Sequence, residues 1–347
     1  MALVPTARGD EIDAADMGFT SASEEVVGVY QMEVDFNWPH LSLRGSADPA
    51  VQEQIKAARI KKAVDALNEA KAVGVDTIVD RVIPGIGRNV PWVKEIAAQT
   101  EVNIIVATGW YTWRDLPPIF ELGLMFPDAF ETKPPRLADV LVQDIEEGVP
   151  GTGVKAGIIK FASDHLGINE GVQAIIAASA EAHRRTGAPI TTHSASAGDR
   201  PGILSIQDQQ AALEKEGVDL RRIQFGHADY TPPEVPIEEF VKVLDKGSFI
   251  GFDTVALGHI FPFAWEQRIS RIIQLCEMGY SAQILLGNDD YPYTDCVPEI
   301  PERPLYTDVK LKVVPALLER GLSEEHATEI TVDNPRRLFE MRDLGAY

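Results

Sequence analysis

The chain has 347 residues with 53 acidic against 32 basic side chains, a net charge of −21. That charge repels phosphate backbones and anionic headgroups, which argues against nucleic acid and membrane surfaces as partners. Two cysteines, Cys276 and Cys296, are too few for a disulfide framework and lack zinc-ribbon spacing. With no apolar leader core and no run of about 18 apolar residues, the sequence reads as a soluble cytoplasmic protein.

Residues 1–17 read as an N-terminal extension. Beyond them an apolar run, a polar or glycine-rich loop and an amphipathic helix recur in order. Gly18–Ser23 precedes a helical pattern over Val51–Val73, Thr77–Val82 one over Val90–Gln99, and Asn103–Thr108 one over Arg136–Glu147. Ala156–Lys160 is followed by Glu170–Thr186, Pro189–His193 by Ile206–Glu216, and Arg222–His227 by Ile237–Lys246. Phe249–Asp253 then leads to Trp265–Met278, and Gln283–Asn288 to Tyr306–Arg320. Most runs are apolar on consecutive rather than alternating residues, as in parallel strands covered on both faces. Lys246-Gly247 and Arg320-Gly321 carry a common helix stop.

Eight such alternations predict an α/β protein, one (β/α)8 TIM barrel over 18–340 in a single domain spanning 1–347. A doubly wound sheet would need a glycine-rich phosphate loop, and Gly85-Ile86-Gly87 is only a lone fragment of one.

Polar groups able to bind metal or exchange protons fall at the ends of these runs, the catalytic face of a barrel. Lys160, His193 and His227 each close a run, and Asp289 follows one. Free lysine is cationic and a poor ligand, but carbamylated by carbon dioxide it becomes a carboxylate that binds one divalent ion or bridges two. His193 and His227 would add imidazole nitrogens, and Asp289 would bind metal, hold the attacking water or take its proton.

Through these residues the chain resembles the phosphotriesterase-like branch of the amidohydrolase superfamily, most of all its lactonases. The resembling stretches are Ala72–Asp80, Ala156–Lys160, Thr191-Thr192-His193, Gly226-His227-Ala228-Asp229, Gly247–Asp253, Asn288-Asp289 and Thr331–Phe339. The resemblance implies carbamylated Lys160 as the bridging ligand, His193 and His227 on the more exposed ion, and Asp289 on the buried ion as general base. It places Tyr111, in Ala107-Thr108-Gly109-Trp110-Tyr111, beside the metals as a catalytic and substrate-binding residue. It also implies a homodimer that covers the apolar stretch Pro117–Pro135.

One departure stands out. The family carries a His-x-His pair at the end of strand one, whereas here Ser23 and Glu25 occupy those places. Either Glu25 supplies a carboxylate and the buried site turns oxygen-rich, favouring manganese, iron or cobalt over zinc, or one ion remains on His193, His227 and modified Lys160. A third reading is a repurposed, non-catalytic ligand-binding barrel. Asp253, Phe261 and Trp265, in the apolar segment after strand seven, are expected near the substrate. The expected activity is hydrolysis of a lactone of the N-acyl-homoserine type, or another small ester, by a metal-activated water, with side activity on organophosphate triesters.

Overall fold

The computed structural model describes residues 2–29, 48–112, 114–118, 120–121, 136–255, 264–294 and 303–347. A short antiparallel hairpin, β1 (Leu3–Pro5) and β2 (Glu11–Asp13), comes first. Eight parallel strands then lie side by side in chain order: β3 (Thr20–Glu24), β4 (Thr77–Asp80), β5 (Asn103–Trp110), β6 (Ile158–Ala162), β7 (Ile190–His193), β8 (Ile223–Phe225), β9 (Phe249–Phe252) and β10 (Ile284–Leu286). Register pairs such as Thr77↔Asn103, Ile159↔Ile190 and Ile284↔Ile250 hold neighbours together. Backbone hydrogen bonds draw the sheet toward closure. The Asp289 N–H donates to the Ser23 carbonyl and the Glu25 N–H to the Asp290 carbonyl, each at 2.9 Å. The expected (β/α)8 barrel is therefore observed.

Helices fill the outer layer: α1 (Pro49–Ala72), α2 (Val90–Ala97), α3 (Leu137–Glu146), α4 (Glu170–Thr186), α5 (Ile203–Lys215), α6 (Glu238–Leu244), α7 (Ala264–Glu277), α8 (Val314–Glu319), α9 (Glu324–Thr328) and α10 (Asn334–Glu340). Local chemistry sets their ends. Asp48 caps α1 through the Ala50 N–H, Asn169 caps α4 through the Val172 N–H, and Gly187 ends α4 at φ 73°. The helix expected over Tyr306–Arg320 divides into a π-helical turn, Val309–Val313, and α8, because Pro315 has no N–H for a regular ladder.

Two apolar layers result. One lies between strands and helices and holds outward-facing Ile78, Ile104, Ile159, Phe225 and Phe252. The other fills the barrel: Ala22, Val79, Ile105, Ile158, Phe249 and Leu285 pack with Val4 and Met17 from the N-terminal segment and Leu338 and Phe339 from α10. The extension is thus a plug under the barrel. Each such aliphatic side chain contributes roughly 1.5–3 kcal/mol by burial, so the N-terminal ends of the strands are sealed and ligands are confined to the opposite mouth.

Candidate metal and active site

All four residues singled out at strand ends meet at the C-terminal mouth. Lys160 projects from β6, is 4% exposed, and holds Nζ 5.7 Å from the centroid of the Tyr111 ring. His193 ends β7, and its ring lies 4.7 Å from that of His227, inclined by 79°. His227 and Asp289, one after β8 and one after β10, adopt left-handed backbone at φ 63° and 57°. Such strain in a non-glycine residue persists where the surroundings impose it. Here the His227 N–H donates to Asp253 at 2.7 Å, and the Asp289 N–H to the Ser23 carbonyl at 2.9 Å.

Each imidazole is oriented by a carboxylate through one nitrogen. His193 Nε2 meets Asp164 Oδ2 at 3.1 Å, and His227 Nδ1 meets Asp253 Oδ1 at 2.9 Å. Among the described residues His193 Nδ1 and His227 Nε2 are left for a ligand, the arrangement by which outer carboxylates fix ligating histidines. Burial, with lesser repulsion from His227 and Lys160, lowers His193 to about 4 against the pull of Asp164, so its ring is neutral near pH 7. Burial acts the same way on His227, but the charge and hydrogen bond of Asp253 outweigh it and raise its pKa.

The carboxylates complete the electrostatics. Burial and the charge of Asp289 push Glu25 up to about 7, and Lys160 draws it back in part. Burial raises Asp289, against His227 and Lys160, and burial carries Asp80 to about 7. Burial likewise pushes the Lys160 amine down, opposed by Glu25. Asp253 is the exception: despite complete burial, His227 and Arg81 hold it well below the ordinary carboxylate range. The Arg81 guanidinium, 1% exposed, donates from Nη1 to Asp253 Oδ2 at 2.9 Å.

The structure therefore brings Glu25, Tyr111, Lys160, His193, His227 and Asp289 to one mouth, with Glu25, Tyr111, His193 and Asp289 keeping part of their surface open. One expectation fails in detail. Asp253, expected near substrate, lies beneath His227 with both oxygens engaged and no exposed surface. Trp265 lies on α7, half-buried against the core between strands and helices. Phe261 and His40 lie outside the described residues, as does most of Pro117–Pro135. Sequence reasoning missed Asp164, Arg81, Asp80 and Tyr230. Tyr230 packs near both imidazoles, tilted at 5.0 Å from His227 and edge-on at 6.5 Å from His193. Asp80-Arg81 at the end of a strand was the available signal, whereas Asp164 is four residues beyond Lys160 and only the fold returns it to His193.

Among the described residues, no three His, Cys, Asp or Glu side chains stand close enough together to hold a metal ion as they are. The donor chemistry still fits one ion: two imidazoles, each with one nitrogen not engaged among the described residues, and one carboxylate lie at the same mouth, and unmodified Lys160 is the cation among them. Carbamylation would turn that cation into the missing anionic ligand.

A family model described as the phosphotriesterase family matches residues 2–339. A phosphotriesterase homology protein of Mycobacterium tuberculosis is 39% identical over 347 residues, covering 99% of this chain and 98% of the relative. An aryldialkylphosphatase of Saccharolobus solfataricus is 31% identical over 97% of this chain and 99% of its own. An N-acetyltaurine hydrolase of Xenopus tropicalis is 27% identical, covering 77% and 74%. The solved phosphotriesterase structure from M. tuberculosis superposes with a TM-score of 0.82 at 35% identity, covering 99% of this chain and all of that one.

Proposed function

Because this chain belongs to the phosphotriesterase family and is a hydrolase of its metal-dependent kind, we propose that it opens lactones, with N-acyl-homoserine-lactone-like compounds as the substrate class and slower attack on organophosphate triesters. The supporting observation is the meeting of Lys160, two carboxylate-oriented imidazoles and Asp289 at the one open end of a plugged barrel. Tyr111 favours a cyclic ester. Its ring lies 5.4 Å from that of His193 and beside Lys160, where a phenol can steer a ring oxygen or carbonyl.

In this reading His193 and His227 would hold a divalent ion, zinc or the harder manganese, iron or cobalt, together with Asp289 and a carbamylated Lys160. When bound, that ion polarises the scissile carbonyl or phosphoryl group and acidifies the attacking water. The protein's own groups do the rest. Asp289 takes the proton of the attacking water, a task suited to a carboxylate whose pKa burial has raised. Asp164 and Asp253 hold the imidazoles by one nitrogen each, leaving His193 Nδ1 and His227 Nε2 for the ion. Tyr111 and Tyr230 wall the site and exclude water from the leaving group. A homodimer belongs to the same proposal, and light scattering would test it.

The test is turnover of a panel of γ- and δ-lactones, aryl esters and a triester by protein reconstituted with zinc, manganese, iron or cobalt. The expected result is highest kcat/KM on an acylated lactone. Lactones left intact while triesters or amides are cleaved would reject the lactone assignment. Failure on every substrate with every ion would reject hydrolysis by this site and favour the ligand-binding barrel.

A further inference from the structure

Below the mouth the barrel holds a second polar layer, of which the hydrolytic reading uses only Asp253. Arg81 enters it from the end of β4 and pairs with Asp253, which in turn holds both the N–H and Nδ1 of His227. Three glycines make the space. A Cβ on Gly226 would stand 2.9 Å from Arg81 Nη1, one on Gly251 2.4 Å from Asp253 Oδ2, and one on Gly287 3.0 Å from Asp253 Cβ. Strands β8, β9 and β10 are thus cut back around one ion pair. Arg81 Nε and Nη2, Gln224 Nε2, Thr191 Oγ1 and Ser23 Oγ are buried there with no hydrogen-bond partner among the described residues. The guanidinium carries a full charge with one carboxylate on one nitrogen, and its field reaches both Lys160 and Asp289.

We propose that Arg81 is a built-in cation that takes the place of a second, deeper metal ion, so that the centre holds one divalent ion per chain. This rests on the metal-dependent reading above. Charge weighs against a second ion. Asp253, Asp289 and a Lys160 carbamate bring three negative charges, which one divalent ion and Arg81 balance. A second ion would add two positive charges beside a buried guanidinium, and balancing them would take ionisation of both Glu25 and the buried Asp80. The ligand chemistry agrees, because Ser23 offers a hydroxyl where an imidazole would be needed and Arg81 already occupies Asp253 Oδ2.

Metal counting tests this without any activity measurement. Apoprotein is titrated with Mn2+, bound metal is measured by mass spectrometry after desalting, and the loaded protein is examined by electron paramagnetic resonance. One equivalent and the spectrum of an isolated Mn2+ are expected. Arg81→Lys keeps the charge and should remain at one. Arg81→Met removes the buried cation and frees Asp253 Oδ2, and should take up a second equivalent. Two equivalents or an exchange-coupled pair in the unsubstituted protein overturns the proposal, as does folded Arg81→Met that stays at one. Should Arg81→Met not fold, the count and spectrum of the unsubstituted protein decide alone. No bound ion at all would instead overturn the metal-dependent reading on which this rests.

Discussion

Replacing Asp253 by asparagine isolates the ion pair under the site. The carboxylate accepts the His227 N–H at 2.7 Å, His227 Nδ1 at 2.9 Å and Arg81 Nη1 at 2.9 Å, and neither Arg81 nor Asp253 is more than 1% exposed. An amide keeps one acceptor for His227 but turns an NH2 group toward the guanidinium, donor against donor, and leaves the Arg81 charge buried without compensation. Breaking a buried pair this way costs about 3–5 kcal/mol. With an unfolding entropy of about 2.1 cal/mol/K per residue, the chain length converts that to a fall in Tm of roughly 4–7 °C. Thermal melts followed by circular dichroism measure it. Because the folded-state pKa of Asp253 is depressed, its stabilisation is complete above the unfolded value of about 3.9 and is lost only as pH falls through the lower folded value. The Asp253 contribution should therefore hold from pH 8 to pH 5, while loss of the carboxylate that raises His227 makes the gap widen as pH falls toward the unfolded histidine value of about 6.5. A shift under about 1 °C, or a gap that narrows as pH falls from 8 to 5, would refute the buried-pair argument. Arg81→Met combined with Asp253→Leu should recover part of the loss, since removing both charges leaves nothing stranded.

Asp289→Asn should lower kcat by about 10²–10⁴-fold with little change in KM, as expected when a proton acceptor is lost; an unchanged kcat would remove Asp289 from that role. Asp164→Asn should weaken metal binding by about 10–100-fold, read by competition with a chelator, because His193 loses the carboxylate that orients it. His183 lies away from the site, bonded to the Ala188 carbonyl and the Tyr347 hydroxyl, and burial lowers it to about 4. The fold therefore disfavours its charged form. Stability should begin to fall as pH drops below the unfolded value near 6.5, with the loss complete below about 4 and amounting to roughly 3 kcal/mol. His183→Gln should flatten that part of the urea-denaturation profile against pH.

The barrel was legible because its strands are runs of consecutive apolar residues, a pattern that only burial on both faces explains, and all eight appear within a few residues of the expected places. Boundaries moved where tertiary contacts intervened. The first strand runs to Glu24 with a register shift between Ser21 and Glu24, where the Glu24 carboxylate is held by Ser21 and, beyond the last strand, by Asn288 and the Asp290 N–H. The N-terminal plug was not legible, since its two three-residue strands carry too few residues for any periodicity. Asp253 was misplaced for a related reason. Position after a strand says that a side chain is near the mouth, and not whether it faces the opening or the layer below.

The amino-acid sequence by itself determined the alternation of strands and helices and which ionisable residues end up at strand ends, because periodicity and local order are properties of neighbours along the chain. Tertiary structure alone decided which carboxylate orients which imidazole, that Arg81 reaches under His227 to Asp253, and that three glycines clear space for the pair. Those contacts join residues up to 172 positions apart, and only closure of the barrel sets the distances and the burial on which their charges depend.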